Sequence, residues 1–360
     1  MKLIIKILSV LFFVFFSFAP QGWVQARALE ISGWIPYWRD VAGISETIAH
    51  IEAFKEINPF GYTVKKDGTL FDALKINEGL WPSLIDIARK KKVRVIPTIM
   101  WSDTDAIHKI LSNTKTRIAL EDRIATLVKA KGFDGIDINF EGKKAETKQY
   151  FSTFLKGLYQ RMGKKWVMCT IEARTPLSSR YDTIPKDIKY ANDFVAINKY
   201  CDRVRIMAYD QGSIDLRLNE AEPGPYVPVA DPKWVEKVIK LAAQTISKNK
   251  IVIGVPTYGY EYEVTPLDEG YRYDRLWAFN QKYELDLAVQ LNITPKRNSA
   301  GEQSFVYNSD KIPFNILWWS DANAIKDKIV LAKRLGVAGI AIFKIDGGAD
   351  PAIWKVITGK

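Results

Sequence analysis

Histidine and cysteine are scarce in this sequence, with two residues of each among 360. His50 and His108 lie far apart in stretches of helical periodicity, so neither a Ser-His-Asp triad nor an HExxH zinc site is available. Cys169 and Cys201 are too far apart for a CxxC redox pair. Glycine-rich phosphate-binding loops are also absent. We therefore expect a protein that uses neither a metal nor a cofactor.

An apolar run long enough to cross a bilayer is lacking as well. The longest run, 7–19, has roughly a dozen residues, and a membrane helix needs about 20. It follows two lysines and precedes Val24-Gln25-Ala26, which has the small residues of a cleavage site. Residues 1–26 are therefore interpreted as a secretory signal peptide, with an uncleaved anchor as the alternative. We expect the protein to be secreted or held at the cell envelope.

Acidic residues are fewer than basic ones, 41 against 52, and the formal net charge is +11. This excess is either scattered surface lysine or an attraction to anionic envelope polymers. Nucleic-acid-binding motifs are missing, so we do not expect a nucleic-acid partner, and we expect a monomer. Cys169 and Cys201 lie in or beside apolar runs, where two buried thiols and one disulfide are both reasonable.

Short apolar segments alternate with amphipathic helical segments from residue 31 to the end. The predicted strands are 31–38, 54–64, 93–101, 133–141, 166–173, 203–209, 250–258 and 339–345. Eight such units predict an α/β fold of the (β/α)8 TIM-barrel type over residues 30–360. A doubly wound sheet would normally show a glycine-rich turn after its first strand, and none is present. Residues 260–316 lack a single helix and predict a small inserted lobe between strands 7 and 8.

The fourth predicted strand carries the strongest chemical signal. Alternate side chains of a strand face the same side, so Asp137, Asn139 and Glu141 form one inward column. In barrel enzymes the active site lies at the carboxyl end of the strands, where Glu141 is expected. We expect Asp137 and Asn139 to bond one another and to tune the pKa of Glu141. The alternative is a buried polar network that only stabilises the barrel.

Several motifs in series resemble glycoside hydrolase family 18, the chitinases and endo-β-N-acetylglucosaminidases. Asp134-x-x-Asp137-x-Asn139-x-Glu141 is similar to the family's DxxDxDxE signature, with Asn139 in place of an Asp. Four further segments match other parts of the family pattern. Met207–Asp210 (MAYD) matches the M-x-Y-D motif, and 254–259 matches the G-x-P-x-Y-G motif. Residues 32–38 and 339–345 match the first and the last strand. The resemblance runs in the correct order from about residue 31 to residue 357.

The resemblance implies a glycosidase that hydrolyses β-linked N-acetylhexosamine polymers, of the chitin or peptidoglycan type, by substrate-assisted retaining catalysis. Glu141 would be the proton donor, Tyr209 and Asn139 would hold the substrate's acetamido group, and Asp137 would support them. Substrate contacts are expected from Asp210, Met207, Tyr37, Trp101, Tyr258 and Phe343. Asp134 and Gly135 are expected to be structural.

Two departures from the family pattern affect this expectation. Asn139 brings no negative charge to a cationic intermediate, and Phe343 replaces the tryptophan that underlies the reacting sugar. They imply reduced activity, or alternatively a non-catalytic or weakly active carbohydrate-binding protein. At the end of the fifth strand, Glu172 and Arg174 either line the cleft or form an ion pair.

Overall fold

The computed structural model describes residues 28–359, so the expected signal peptide lies outside the described residues. The strands are β1 (Glu30–Pro36), β2 (Glu56–Val64), β3 (Leu70–Asp72), β4 (Arg94–Val95), β5 (Thr98–Trp101), β6 (Gly135–Phe140), β7 (Trp166–Glu172), β8 (Arg203–Met207), β9 (Ile251–Pro256), β10 (Tyr258–Pro266), β11 (Tyr271–Asn280), β12 (Lys296–Arg297), β13 (Gln303–Tyr307), β14 (Phe314–Trp319) and β15 (Gly339–Phe343).

Helices follow most of the barrel strands and cover the outside of the barrel. They are α1 (Asp40–Ala49), α2 (Trp81–Lys90), α3 (Thr104–Ser112), α4 (Thr114–Lys131), α5 (Lys148–Met162), α6 (Leu177–Arg180), α7 (Phe194–Tyr200), α8 (Leu216–Glu220), α9 (Pro232–Ala242), α10 (Gln281–Gln290), α11 (Ala322–Leu335) and α12 (Ile353–Thr358). Short 3-10 turns lie at Tyr37–Arg39, Ile51–Ala53, Ala145–Thr147 and Lys248–Lys250. No helix between residues 28 and 359 is long and apolar enough to cross a membrane.

The main sheet closes on itself. Its order is β1-β15-β9-β8-β7-β6-β5-β2, all in parallel, and β1 also pairs with β2. The third barrel strand is split into β4 and β5 around Pro97, which has no backbone N–H to donate. These eight parallel positions confirm the predicted (β/α)8 barrel. β3 only extends β2 as a short hairpin at the barrel's rim.

Strand alternation places apolar side chains between the barrel and its helices. On β6, Phe140 faces outward and its ring lies 5.4 Å from that of Phe154 on α5. Ile136 and Ile138 on the same outward face are completely buried. Burial of this kind contributes about 1.5–3 kcal/mol per large side chain. The outward face therefore fixes β6, and its inward face is left for polar residues.

Glycines end two of the predicted helices as expected. Gly132 after α4 and Gly336 after α11 both have left-handed backbone conformations, with φ of 65° and 68°. Such a C-terminal cap requires positive φ, which glycine adopts without a Cβ clash. α9 ends at Ala242, and turns follow it.

Between β9 and β15 the chain forms a second sheet, the lobe, over residues 258–319, slightly more than the expected 260–316. Its strands pair antiparallel in the order β11-β10-β14-β13-β12, and α10 follows β11. Glu302, completely buried, accepts hydrogen bonds from the N–H groups of Val229 (2.9 Å) and Ala230 (2.7 Å) in the barrel loop after α8. Lys328 of α11 lies 3.9 Å from the same carboxylate. This buried group joins the lobe to the barrel.

Cys169 on β7 and Cys201 after α7 form a disulfide with a Cα–Cα distance of 5.9 Å. The sequence left this pairing and two free thiols open, and the structure decides for the disulfide. The pair connects β7 to the segment that leads into β8, at the amino end of β8, since Arg203 of β8 pairs with Met168 of β7.

We predict that the double substitution Cys169→Ala, Cys201→Ala lowers the free energy of unfolding by about 3 kcal/mol, as expected for a crosslink that closes a loop of this size. The two cysteines are 32 positions apart. Urea unfolding monitored by tryptophan fluorescence measures the change. A reductant should weaken the parent protein by a similar amount and leave the double variant unaffected. Two titratable thiols in the non-reduced, unfolded parent would contradict the pairing.

Candidate active site at the carboxyl end of the barrel strands

Asp137 lies at the centre of the barrel and is completely buried. Its carboxylate accepts hydrogen bonds from Trp34 Nε1 (3.1 Å), Thr98 Oγ1 (2.8 Å) and Thr170 Oγ1 (2.8 Å). Arg205 Nη1 lies 3.0 Å from its Oδ1. These four groups come from β1, β5, β7 and β8. A single carboxylate therefore ties together five of the eight barrel strands.

Arg205 is also buried, and its guanidinium contacts Glu56 of β2 as well as Asp137. The group of three thus has two carboxylates and one guanidinium. Burial raises the pKa of Asp137 to about 6, and its hydrogen bonds to Thr98 and Thr170 oppose that rise.

Asp137 and Asn139 do not bond one another, contrary to the sequence expectation. Donors from the neighbouring strands already occupy the Asp137 carboxylate. Asn139 instead donates its Nδ2–H to Glu141 Oε1 at 2.7 Å. Its Oδ1 is buried without a hydrogen-bond partner. Asn139 therefore supports Glu141 and keeps one acceptor free.

Glu141 follows β6, where its N–H donates to the carbonyl of Trp101 (2.8 Å). Burial raises its pKa, and the charges of Glu172 and Asp210 add to this effect. The hydrogen bond from Asn139 and the charge of Lys143 oppose it. A carboxyl group with a raised pKa keeps its proton to higher pH, which suits a general acid.

Aromatic residues from β8, β10 and β15 form one wall of the cleft. The ring of Tyr209 stacks on Phe343 with centroids 5.5 Å apart and planes 14° apart. Burial raises the pKa of Tyr209 well above its usual value, so its phenol stays a donor. Tyr258 and Tyr260 both donate to Asp210 Oδ1 at 2.6 Å.

Two connected cavities adjoin this wall. The inner cavity, of about 160 Å³, is lined by Asp210, Tyr258, Tyr260, Ala278, Phe279, Asn280, Phe343 and Lys344. The outer cavity, of about 470 Å³, shares Phe279, Asn280 and Lys344 and reaches Trp38 and Arg39 after β1. The cleft therefore extends from the barrel mouth along the lobe, as a site for a chain of sugars would.

Trp101 does not line the cleft, and its predicted contact with substrate is wrong. On β5, Thr98 and Met100 face inward, so Ile99 and Trp101 face the helices. Trp101 is 2% exposed and packs edge-on against Phe140. The sequence located the end of the strand correctly and assigned the aromatic residue to the wrong face.

The remaining predicted residues occupy different positions around the barrel. Met207 shares the inward face of β8 with Arg205, whereas Tyr37 lies exposed at the rim beside Trp38 and lines neither cavity. Asp134 Oδ2 accepts the N–H of Val95 (2.8 Å). At Gly135 a Cβ would lie 2.3 Å from the carbonyl oxygen of Trp166, so close strand packing requires glycine there.

Sequence analysis missed most residues that hold the column: Trp34, Thr98, Thr170, Arg205 and Lys143. Period-two alternation on the neighbouring strands would have placed the first four inside the barrel. Glu172 and Arg174 do not pair. The guanidinium of Arg174 instead lies 3.7 Å from the ring centroid of Tyr190.

No group of three or more His, Cys, Asp or Glu side chains among residues 28–359 is arranged to hold a metal ion.

Residues 9–348 match the model of the family described as "Glycosyl hydrolases family 18". The chain belongs to this family. As a family 18 member it is a glycoside hydrolase, and the family accounts for the closed barrel.

Individual relatives agree with this assignment. The chain is 28% identical over 280 residues to "Uncharacterized glycosylase YvbX" of Bacillus subtilis (strain 168), covering 75% of this chain and 76% of that protein. Its fold resembles the Bacillus cereus spore cortex-lytic enzyme SleL (TM-score 0.73, 20% identity, 92% of this chain and 74% of that chain). It also resembles a chitinase from Chromobacterium violaceum ATCC 12472 (TM-score 0.71, 19% identity, 92% and 98%).

We predict that Arg205→Met lowers the free energy of unfolding by about 3 kcal/mol or more at pH 8, because it leaves the buried Asp137 carboxylate without its cation and leaves Glu56 with Arg94 alone. The loss should be smaller at pH 5. A buried carboxyl with a raised pKa stays protonated in the folded state at low pH, and that stability is lost as pH rises through the folded pKa. Urea unfolding at both pH values measures the difference.

The matched control is Arg334→Met, which removes an exposed guanidinium paired with Glu236 and should change stability little. An Arg205→Met protein as stable as the parent at pH 8 would contradict a role for this ion pair in holding the barrel.

Proposed function

We propose that this family 18 hydrolase cleaves β-linked N-acetylhexosamine polymers, of the chitin or peptidoglycan type, by substrate-assisted retaining catalysis. The observation that carries the proposal is the contact between Asn139 and Glu141. It holds the acid at the head of the column and leaves the buried Asn139 Oδ1 without a partner. An acetamido N–H is a donor that would satisfy this oxygen.

In the proposed reaction Glu141 donates its proton to the glycosidic oxygen, and the bond to the anomeric carbon breaks. The substrate's own acetamido oxygen attacks that carbon and gives an oxazolinium ion. Tyr209 donates to the acetamido oxygen, and Asn139 accepts from the acetamido nitrogen. The ionised Glu141 then takes a proton from water, which attacks the same carbon as its bond to the acetamido oxygen breaks, and the acetamido group is restored with retention.

The surroundings of the other carboxylates support substrate assistance over a protein nucleophile. Retaining glycosidases of the ordinary kind place a second carboxylate about 5–5.5 Å from the acid. Asp137 is fully buried and already receives donors from four strands. Asp210 is held by two tyrosine hydroxyls. Asn139 is neutral, so the substrate's acetamido group is the best available nucleophile.

Two comparisons define the substrates to test, since one similar fold is that of a spore cortex-lytic enzyme and another that of a chitinase. We also propose that the protein acts outside the cytoplasm. The disulfide between Cys169 and Cys201 supports export, because disulfides persist mainly in oxidising compartments.

We predict that Glu141→Gln lowers turnover about a thousandfold, because the amide has no transferable proton. Binding should change little, since the two side chains are nearly equal in size. Reducing-end release from chito-oligosaccharides and from peptidoglycan fragments measures turnover, and calorimetry measures binding. Glu146→Gln, the same change at an exposed residue nearby, is the control.

Unchanged turnover in Glu141→Gln would contradict the acid role. Binding by the parent with no product over days would instead favour a carbohydrate-binding protein on the family 18 fold.

We predict that Asn139→Asp raises turnover on a chito-oligosaccharide by about tenfold, because a negative charge beside the oxazolinium stabilises the transition state. The new carboxylate also repels the charge on Glu141, so the basic limb of the pH profile should move to higher pH. The rate is therefore measured from about pH 4 to about pH 8, the range in which such carboxyls titrate. A variant no faster at any of these values would show that the pocket requires the amide.

A further inference from the structure

Lys143, two residues after Glu141, is a buried lysine that the proposed reaction does not use. Its side chain has no exposed surface, and its ammonium donates to the carbonyl oxygen of Phe140. The ammonium lies 4.8 Å from the ring centroid of Phe151 and 3.7 Å from Glu172 Oε2. Lysine is almost never fully buried unless it is paired, so this position requires an explanation.

Glu172, the last residue of β7, contacts both residues that follow Glu141. Its Oε1 accepts the N–H of Gly142 at 2.9 Å, and its Oε2 faces Lys143. The same Oε2 accepts from Asn192 Nδ2 at 2.7 Å. A carboxylate of the neighbouring strand therefore holds the backbone that leads away from the acid.

The two charges act on Glu141 in opposite directions. Burial opposes the ionisation of Glu172, but Lys143 and the donors from Asn192 and Gly142 outweigh it and lower its pKa. Glu172 is thus an anion that raises the pKa of Glu141, as Asp210 also does, and Lys143 lowers it.

The hydrogen bond from Asn139 lowers the pKa of Glu141 more than Lys143 does, but it carries no charge. Asn139 and the phenol of Tyr209 are uncharged, and Asp137 is occupied by its own donors and by Arg205. Lys143 and Glu172 therefore form the one ion pair of opposite charges beside the acid among the described residues.

We propose that Lys143 and Glu172 are a positioning pair that fixes Glu141 and sets the pH range in which it keeps its proton. The inference rests on the proposed role of Glu141 as the acid. An ion pair that only stabilised the loop would change the rate by a similar factor at every pH. A pair that acts on the acid must move the pH profile, and its two members must move it in opposite directions.

The first test compares two single variants. Glu172→Gln removes the negative charge, so Glu141 should lose its proton at lower pH. The basic limb of the pH profile of kcat/KM should therefore move to lower pH. Lys143→Met removes the positive charge, and the basic limb should move to higher pH. Because the Glu172 side chain is 39% exposed and water screens its charge, we expect shifts of about one pH unit.

Both substitutions suit the packing around them. Glutamine keeps an acceptor for the N–H of Gly142, and methionine keeps an apolar stem against Phe151. Asn192 Oδ1, now without a partner, can accept from the new amide after its side chain rotates. Thermal unfolding of each variant establishes that it is folded before its profile is measured.

The double variant and a neighbouring control sharpen this test. Glu172→Gln with Lys143→Met removes both charges, and its basic limb should return toward that of the parent. Lys144→Met removes the next lysine, which pairs with the exposed Asp105 on the outside of the loop, and its limb should not move. Limbs that move in the same direction in both single variants would overturn the proposal.

A second measurement does not depend on turnover. In protein labelled with carbon-13 at the glutamate carboxyl carbons, the pH titration of Glu141 is followed by NMR, and its signal is assigned by its loss in Glu141→Gln. The midpoint should fall in Glu172→Gln and rise in Lys143→Met. Unchanged midpoints would overturn the proposal even if the parent is active. If the midpoints shift and no substrate is cleaved, the pair is established and the proposed function fails.

Discussion

The contact between Asp137 and Arg205 is the interaction on which the rest of the site depends. The carboxylate and the guanidinium meet inside the barrel at 3.0 Å, where neither is exposed to water. An isolated charge would be very costly there, so the pair is stable only as part of a group that includes Glu56 and the donors from three other strands. Closure of the barrel supplies those donors, and the donors in turn hold β6 in register beneath Glu141.

Four carboxylates, Asp137 in this group and three above it, have four different environments. Asp137 is saturated with donors, Asp210 receives two tyrosine hydroxyls, and Glu172 faces a buried ammonium. Glu141 receives a single amide donor within a buried setting, and its pKa is raised. Environments that separate the pKa values of neighbouring carboxyls assign acid roles in many enzymes. The pKa of Asp137 is raised too, but donors from four strands enclose its carboxylate, which leaves Glu141 as the proposed acid.

The sequence predicted the barrel and the inward column because both follow from the period of two along a strand. The same period led to the wrong assignment of Trp101. The end of β5 was predicted correctly, but a shift of one position moves a side chain from the cleft to the core. Contacts between strands, such as Thr170 to Asp137, require the register of the closed sheet, which no single segment contains. Lys143 and Glu172 meet only because β6 and β7 are neighbours, and the sequence analysis considered Arg174, not Lys143, as the partner of Glu172.

Asn139 changes which groups control the acid. A carboxyl at this position would donate a hydrogen bond to Glu141 only while protonated, whereas the amide of Asn139 donates at every pH. The column beneath Glu141 therefore contributes a constant hydrogen bond and no titrating charge of its own at position 139. Any electrostatic adjustment of Glu141 must then come from charges at the barrel rim. Lys143 lies there as the second residue after Glu141, and Glu172 lies there on the adjacent strand. The neutral amide of Asn139 and the charged rim are thus complementary, because the amide fixes the proposed acid in place and the ion pair acts on its charge.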